Sequence, residues 1–119
     1  MNTVQPLDGG ILEVRIDDTM SSEDYRIFTR HAEEIIDTLG SLRILIEVLE
    51  FHGWSAGALW QDLKFDVKHY ADVCRLALVG DVKWGRGAAA LSRPFTAAEV
   101  RYFSSSEKRD ALAWLREPA

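Results

Sequence analysis

The sequence predicts an α/β fold: one domain over residues 1–119, with a central mixed, mostly parallel sheet, an N-terminal β-hairpin and about four helices. Three observations predict it. Residues 42–49 and 73–79 are nearly continuous apolar runs rich in Leu, Ile, Val and Ala, as expected of strands covered on both faces. The stretches around them repeat large apolar residues every three or four positions, the period of a helix with one buried face. Near the start, Asp8-Gly9-Gly10 separates two short segments with the composition of a hairpin turn. Strands alternating with helices imply parallel pairing through right-handed crossovers.

Composition narrows the classes. Hydrophobic residues make up 47% and charged residues 28%, the balance of a soluble globular domain. The net charge of −5 argues against general nucleic-acid binding, which needs a basic surface. Cys74 is the single cysteine, so no intrachain disulfide can form. That usage fits a reducing compartment, and a cytoplasmic location is expected. No apolar run approaches the length of about 18 residues that a spanning helix requires, and there is no secretory leader pattern.

In chain order, Thr3-Val4-Gln5 reads as a short strand ending at Pro6. Proline cannot donate to a ladder, which places that strand at a sheet edge. Ile11, Leu12, Val14 and Ile16, with Glu13 and Arg15 interleaved, form the second strand of the hairpin. Ser21-Ser22-Glu23-Asp24 starts the first helix, where either serine can cap and the acids suit the positive end of the dipole. Tyr25, Phe28, Ala32, Ile35, Ile36 and Leu39 form its buried stripe, His31 sits on the wet face, and Gly40 stops it.

The central strand, with Ile44, Leu45, Ile46 and Val48 in the core, gives way at residues 50–55 to a second helix. Ser55 is a candidate N-cap, and Leu59, Trp60, Leu63, Val67 and Tyr70 recur along one face. Residues 73–79 form the next buried strand, contributing Leu76, Leu78 and Val79, with Cys74 packing as a small apolar residue. A third helix is expected over residues 82–92. It carries Gly85, Gly87 and three successive alanines, and each glycine costs about 1 kcal/mol relative to alanine. Weak anchoring of this kind suits a mobile segment, and residues 81–95 are expected to be the most mobile part of the domain. Residues 98–103 form the last strand, with Val100 and Tyr102 on one face and Arg101 and Phe103 on the other. Ser104-Ser105-Ser106-Glu107 then caps a final helix with Ala111, Leu112 and Leu115 inward.

The chemistry-bearing residues are few. His31, His52 and His69 lie on different elements without metal-ligand spacing. Ser55 and His52 could pair as nucleophile and base, but helix capping already accounts for Ser55 and nothing positions a third group. The glycines make no phosphate-binding pattern. No cofactor, metal or catalytic residue is expected. The tryptophans are more informative. Trp54 and Trp84 both follow carboxyl ends of central strands, at the rim where open α/β sheets bind ligands. They either cover the rim or line a pocket or membrane contact, where an amphipathic ring is at home. Lys83, Arg86 and Arg93 surround the third helix, a charge cluster compatible with anionic head groups.

The string HGW-S-x-GALW-x-DLKFD-x-KHY, followed by LALVGD-x-KW, L-S-x-PF-T-x-AEVRYF and ALAWL, resembles the SpoIIAA-like family of small bacterial domains. The block over residues 53–70 is its most specific part. The resemblance implies a STAS-like fold, related in shape to lipid-transfer domains of the CRAL-TRIO type. It also implies a non-enzymatic module for an apolar or lipid-like ligand, with peripheral membrane association through a third helix that swings between closed and open positions. STAS-class anti-sigma-factor antagonists carry a phosphorylated serine in an Asp-Ser-Ser/Thr-Gly motif. Here that place reads His52-Gly53-Trp54-Ser55-Ala56, so the motif is absent although Ser55 falls close to the phosphosite.

The expected ligand-binding residues are therefore Trp54, Ser55, Asp81, Trp84, Leu91 and Phe95, with Lys83, Arg86 and Arg93 contacting a membrane or head group. Helix starts at Ser55 and Asp81 would offer free N–H groups to an anionic group. The alternative is a STAS-type module whose rim contacts a protein partner. Pairing of two copies through the N-terminal edge strand is a further option.

Overall fold

The computed structural model describes residues 2–16, 22–48, 72–80 and 98–118. Five strands, β1 (Thr3–Leu7), β2 (Ile11–Ile16), β3 (Leu42–Val48), β4 (Val73–Val79) and β5 (Glu99–Phe103), form one sheet in sequential order. β1 is antiparallel to β2, and β2 through β5 are mutually parallel. The hairpin and the mixed sheet are as the sequence predicts. β1 lies at the edge, but it runs through Pro6 to Leu7, with Pro6 opposite Leu12. An edge strand tolerates proline when the missing donor faces away from its neighbour.

Two helices are described, α1 (Ser22–Leu39) and α2 (Lys108–Arg116). The second and third expected helices fall on residues outside the description, so the described residues support two helices and not four. α1 begins at Ser22, with Glu23 and Asp24 in its first turn. It stops at Gly40, whose φ of +78° lets its N–H reach the Ile36 carbonyl at 2.7 Å.

The sheet separates two apolar layers. On one face Leu12, Val14, Ile16, Ile44, Ile46, Val48, Leu76 and Leu78 pack against Phe28 and Ala32 of α1, with Ile35, Ile36 and Val100 at the margin. On the other, Ile11, Leu45, Ala77 and Val79 pack against Ala111, Trp114 and Leu115 of α2. The seven core residues expected in β3 and β4 are all buried. Leu39 departs from the expectation: it is 59% exposed. The last turn of α1 lies beside Gly9 and Gly10 of the hairpin turn, which have no side chains to cover it. The Tyr25 side chain lies outside the described residues.

His31 also differs from its expected place on the wet face. Its side chain is 21% exposed, and Nδ1 stands 3.8 Å from a Glu34 carboxylate oxygen. Position 31 is one helical turn from both Phe28 and Ile35, so it borders the buried stripe. Cys74 is a free thiol at the second position of β4, half-buried.

Candidate functional site

The carboxyl ends of β3, β4 and β5 are built from Val48, Gly80 and Phe103. The Gly80 N–H donates to the Phe103 carbonyl at 3.0 Å and ties the end of β4 to β5. Gly80 has φ +155°, and a Cβ there would stand 3.0 Å from the Val48 carbonyl oxygen. A residue with a side chain would therefore press on the backbone of β3 at the point where both strands end. The segments leaving this rim carry every site residue expected from sequence. Trp54, Ser55, Asp81, Lys83, Trp84, Arg86, Leu91, Arg93 and Phe95 all lie outside the described residues, as does His52.

Beneath α2, the same half of the sheet holds a charged cluster. Glu13 and Glu47 are each 8% exposed. Glu47 is the register neighbour of Arg15, whose Nε donates to Glu47 Oε1 at 3.0 Å. Lys108, the first residue of α2, reaches between the two acids: its Nζ is 2.9 Å from Glu47 and 3.2 Å from Glu13. Burial desolvates the ammonium and alone would lower its pKa, but hydrogen bonds from Nζ to Glu47 and Glu13 and the charges of both acids outweigh this. The net result is a pKa above the ordinary lysine value. Two acids and two bases neutralise one another, and Lys108 is held protonated.

A second group lies under the other end of α2. Arg43 and Arg75 are register neighbours on β3 and β4. Arg43 donates to the carbonyls of Leu115 and Glu117, the latter at 2.6 Å. Arg75 donates to the carbonyls of Trp114, Glu117 and Pro118. The last carbonyls of a helix have no intrahelical partner and carry the negative end of its dipole, so two guanidinium groups both satisfy and neutralise them. The guanidinium carbons of Arg75 and Arg101 each lie 5.1 Å from the Trp114 ring centroid, within cation–π range. Phe103 meets the same ring at 6.1 Å.

α2 itself is introduced by a single 3₁₀ turn, Ser105–Glu107. The Glu107 carboxylate accepts from both the backbone N–H and the hydroxyl of Ser104, each at 2.9 Å. The backbone hydrogen bond first, then that from the hydroxyl, holds its pKa below the usual carboxylate value.

This arrangement holds α2 on the sheet at both of its ends. A lysine held protonated between two carboxylates has no lone pair to attack a substrate near neutral pH. Among the described residues no group of three His, Cys, Asp or Glu side chains could hold a metal ion, and no described helix is long and apolar enough to cross a membrane. The sequence reading placed Glu13, Arg43, Glu47 and Arg75 correctly within strands but did not mark them as a group. The available signal was the charges interrupting otherwise apolar strands, at positions that register brings side by side.

Comparisons with known proteins agree with this architecture. The family model described as SpoIIAA-like matches residues 11–116. Among solved structures, the chain is similar to an uncharacterised protein of the DUF3478 family with a SpoIIAA-like fold from Shewanella loihica PV-4. The two share 28% identity at a TM-score of 0.65, over 97% of this chain and 92% of the other. No curated protein matches the sequence. The matched span takes in the hairpin's second strand, the whole parallel sheet and α2, and the chain belongs to the SpoIIAA-like family.

Proposed function

We propose that the chain is a non-enzymatic regulatory module of the STAS type, which works by contacting a protein partner at the rim where β3 and β4 end. The observation that carries this reading is the match of a STAS-like, SpoIIAA-like fold over almost the whole chain, since such folds typically serve as protein-interaction modules. The ionic groups around α2 support it. They bind one another and the helix ends, and so act as scaffold for the rim. Trp54 and Ser55, two residues that follow β3 in sequence, are the proposed contact residues. Without the Asp-Ser-Ser/Thr-Gly motif, partner exchange would not depend on phosphorylation of Ser55.

The competing occupant of the rim is an apolar, lipid-like molecule held by Trp84, Leu91 and Phe95, with Lys83, Arg86 and Arg93 toward a head group. Native mass spectrometry of freshly purified protein separates the two. A protein partner at fixed stoichiometry is expected, with its affinity reduced about tenfold or more by Trp54→Ala, a loss of the size typical for an anchoring tryptophan. A co-purifying lipid at one molecule per chain, with no protein partner, would overturn the reading in favour of the lipid module.

A further inference from the structure

The two edges of the sheet are not equivalent. β1 contains Pro6, which blunts it against further pairing. β5 contains no proline and, among the described residues, has a hydrogen-bonded neighbour on one side only, β4. Its side chains are open: Glu99 and Arg101 are each 56% exposed and Tyr102 is 50% exposed. The ion pairs on its α2 face are long, and Arg101 also lies over the Trp114 ring at 5.1 Å. Arg101 Nη2 stands 4.0 Å from Glu99, and Arg75 Nε stands 3.8 Å from the other Glu99 oxygen.

We propose that β5 is a homodimerisation edge, pairing antiparallel with β5 of a second copy about a two-fold axis at Val100. Directly opposed residues in an antiparallel pair point to the same face. Centred on Val100, the pairing sets Glu99 against the second copy's Arg101, and Arg101 against its Glu99. Both charge pairs then lie on the α2 face. The α1 face receives Val100 against Val100 and Tyr102 against Ala98. Neighbouring registers fail this test. Centring on Arg101 opposes two guanidinium groups, centring on Glu99 opposes two carboxylates, and centring on Tyr102 leaves both charges without a complement. The sequence Glu99-Val100-Arg101 is thus self-complementary in one register. The result is a continuous ten-stranded sheet with both α1 helices on one side, an isologous interface of the kind two-fold dimers use. A five-residue edge makes a contact below standard interface size, so the dimer dissociates on dilution.

The test is sedimentation velocity of the full chain from about 10 μM to about 1 mM, a range that spans weak association. A monomer–dimer transition is expected. Glu99→Arg or Arg101→Glu should each weaken it at least about tenfold, because each replaces two attractive pairs by two repulsive ones. Mixing the two variants should restore it, since the basic edge of one then faces the acidic edge of the other. The doubly exchanged chain, Glu99→Arg with Arg101→Glu, should dimerise alone. Arg101→Glu leaves Glu99 and its contact with Arg75 in place but takes the guanidinium off the Trp114 ring, so the mixture with Glu99→Arg, which restores pairing and not that contact, separates the two effects. A chain that stays monomeric throughout, a dimer indifferent to both single substitutions, or a mixture that fails to associate would each overturn the proposal.

Discussion

Arg75 shows how much one buried cation can organise. It is 8% exposed in the middle of the sheet, yet it serves the carbonyls at the end of α2 and lies against the Trp114 ring. Arg75→Met keeps bulk but takes its guanidinium from the Pro118 carbonyl and leaves the Trp114 carbonyl with the Glu117 N–H alone. Urea unfolding should show a loss of about 1–3 kcal/mol. Arg75→Lys keeps the charge but not the planar fork, and should fall between the two. Gly80 is equally exacting. Gly80→Ala must accept φ near +155° and a 3.0 Å approach to the Val48 carbonyl, and a thermal or urea melt should report about 1–3 kcal/mol of destabilisation. The apolar residues were readable in sequence because burial is the ordinary state of Ile, Leu and Val. The charges were not, because a charged residue in a strand ordinarily faces water. What makes Glu47 burial tolerable is Arg15 beside it on β2 together with Lys108, 61 residues away, and the second partnership exists only once α2 is in place.

At the scale of elements, α2 is held by its apolar face and by groups at both ends. The lysine at its start gives the clearest pH signature. Its folded pKa is raised, so its contribution to stability is complete below the unfolded value near 10.5 and is lost as pH rises through the folded value. Unfolding free energy measured from neutral pH to beyond pH ~11 should fall more steeply above the lysine range in the native chain than in Lys108→Met. The variant should also be less stable at neutral pH, since Glu13 then loses its ion pair with Lys108 and Glu47 keeps only Arg15. Glu107 works in the opposite sense. Its lowered pKa gives a contribution present above the unfolded value of 4.5 and lost as pH falls through the folded value. Helix periodicity correctly placed Ala111 and Leu115 inward. It also put Trp114 beside that stripe, where the residue is buried, but it could not show the arginines of β4 and β5 that flank the ring.

For the whole molecule, the sequential strand order puts β3 at the centre, with α1 against one face and α2 against the other. Amide exchange should therefore be slowest in β3 and β4 and fastest in β1 among the strands, which a native-state hydrogen-exchange profile can check. The succession of strands along the chain, the edge position of β1 and the parallel core were legible, because apolar runs, turn residues and proline act locally; the order of the strands across the sheet was not. Leu39 was misplaced because periodicity marks a helix face but does not show where the sheet beneath it ends. The rim residues expected to carry function follow strands whose carboxyl ends are described, while the residues themselves lie outside the description.

The charges beneath α2 have one further effect. Carboxylates lie under the helix start and guanidinium groups under its end, each opposite in sign to the dipole above it. The sheet thus carries a direction as well as a greasy surface. An apolar bed alone would accept an amphipathic helix lying either way round, or displaced by one turn of about 5.4 Å. Here a reversed helix would set its positive end over Arg43 and Arg75, and a displaced one would strand Lys108 away from both acids. Wrong dockings are thereby raised in energy relative to the right one, and the last helix of the chain finds a single seat during folding.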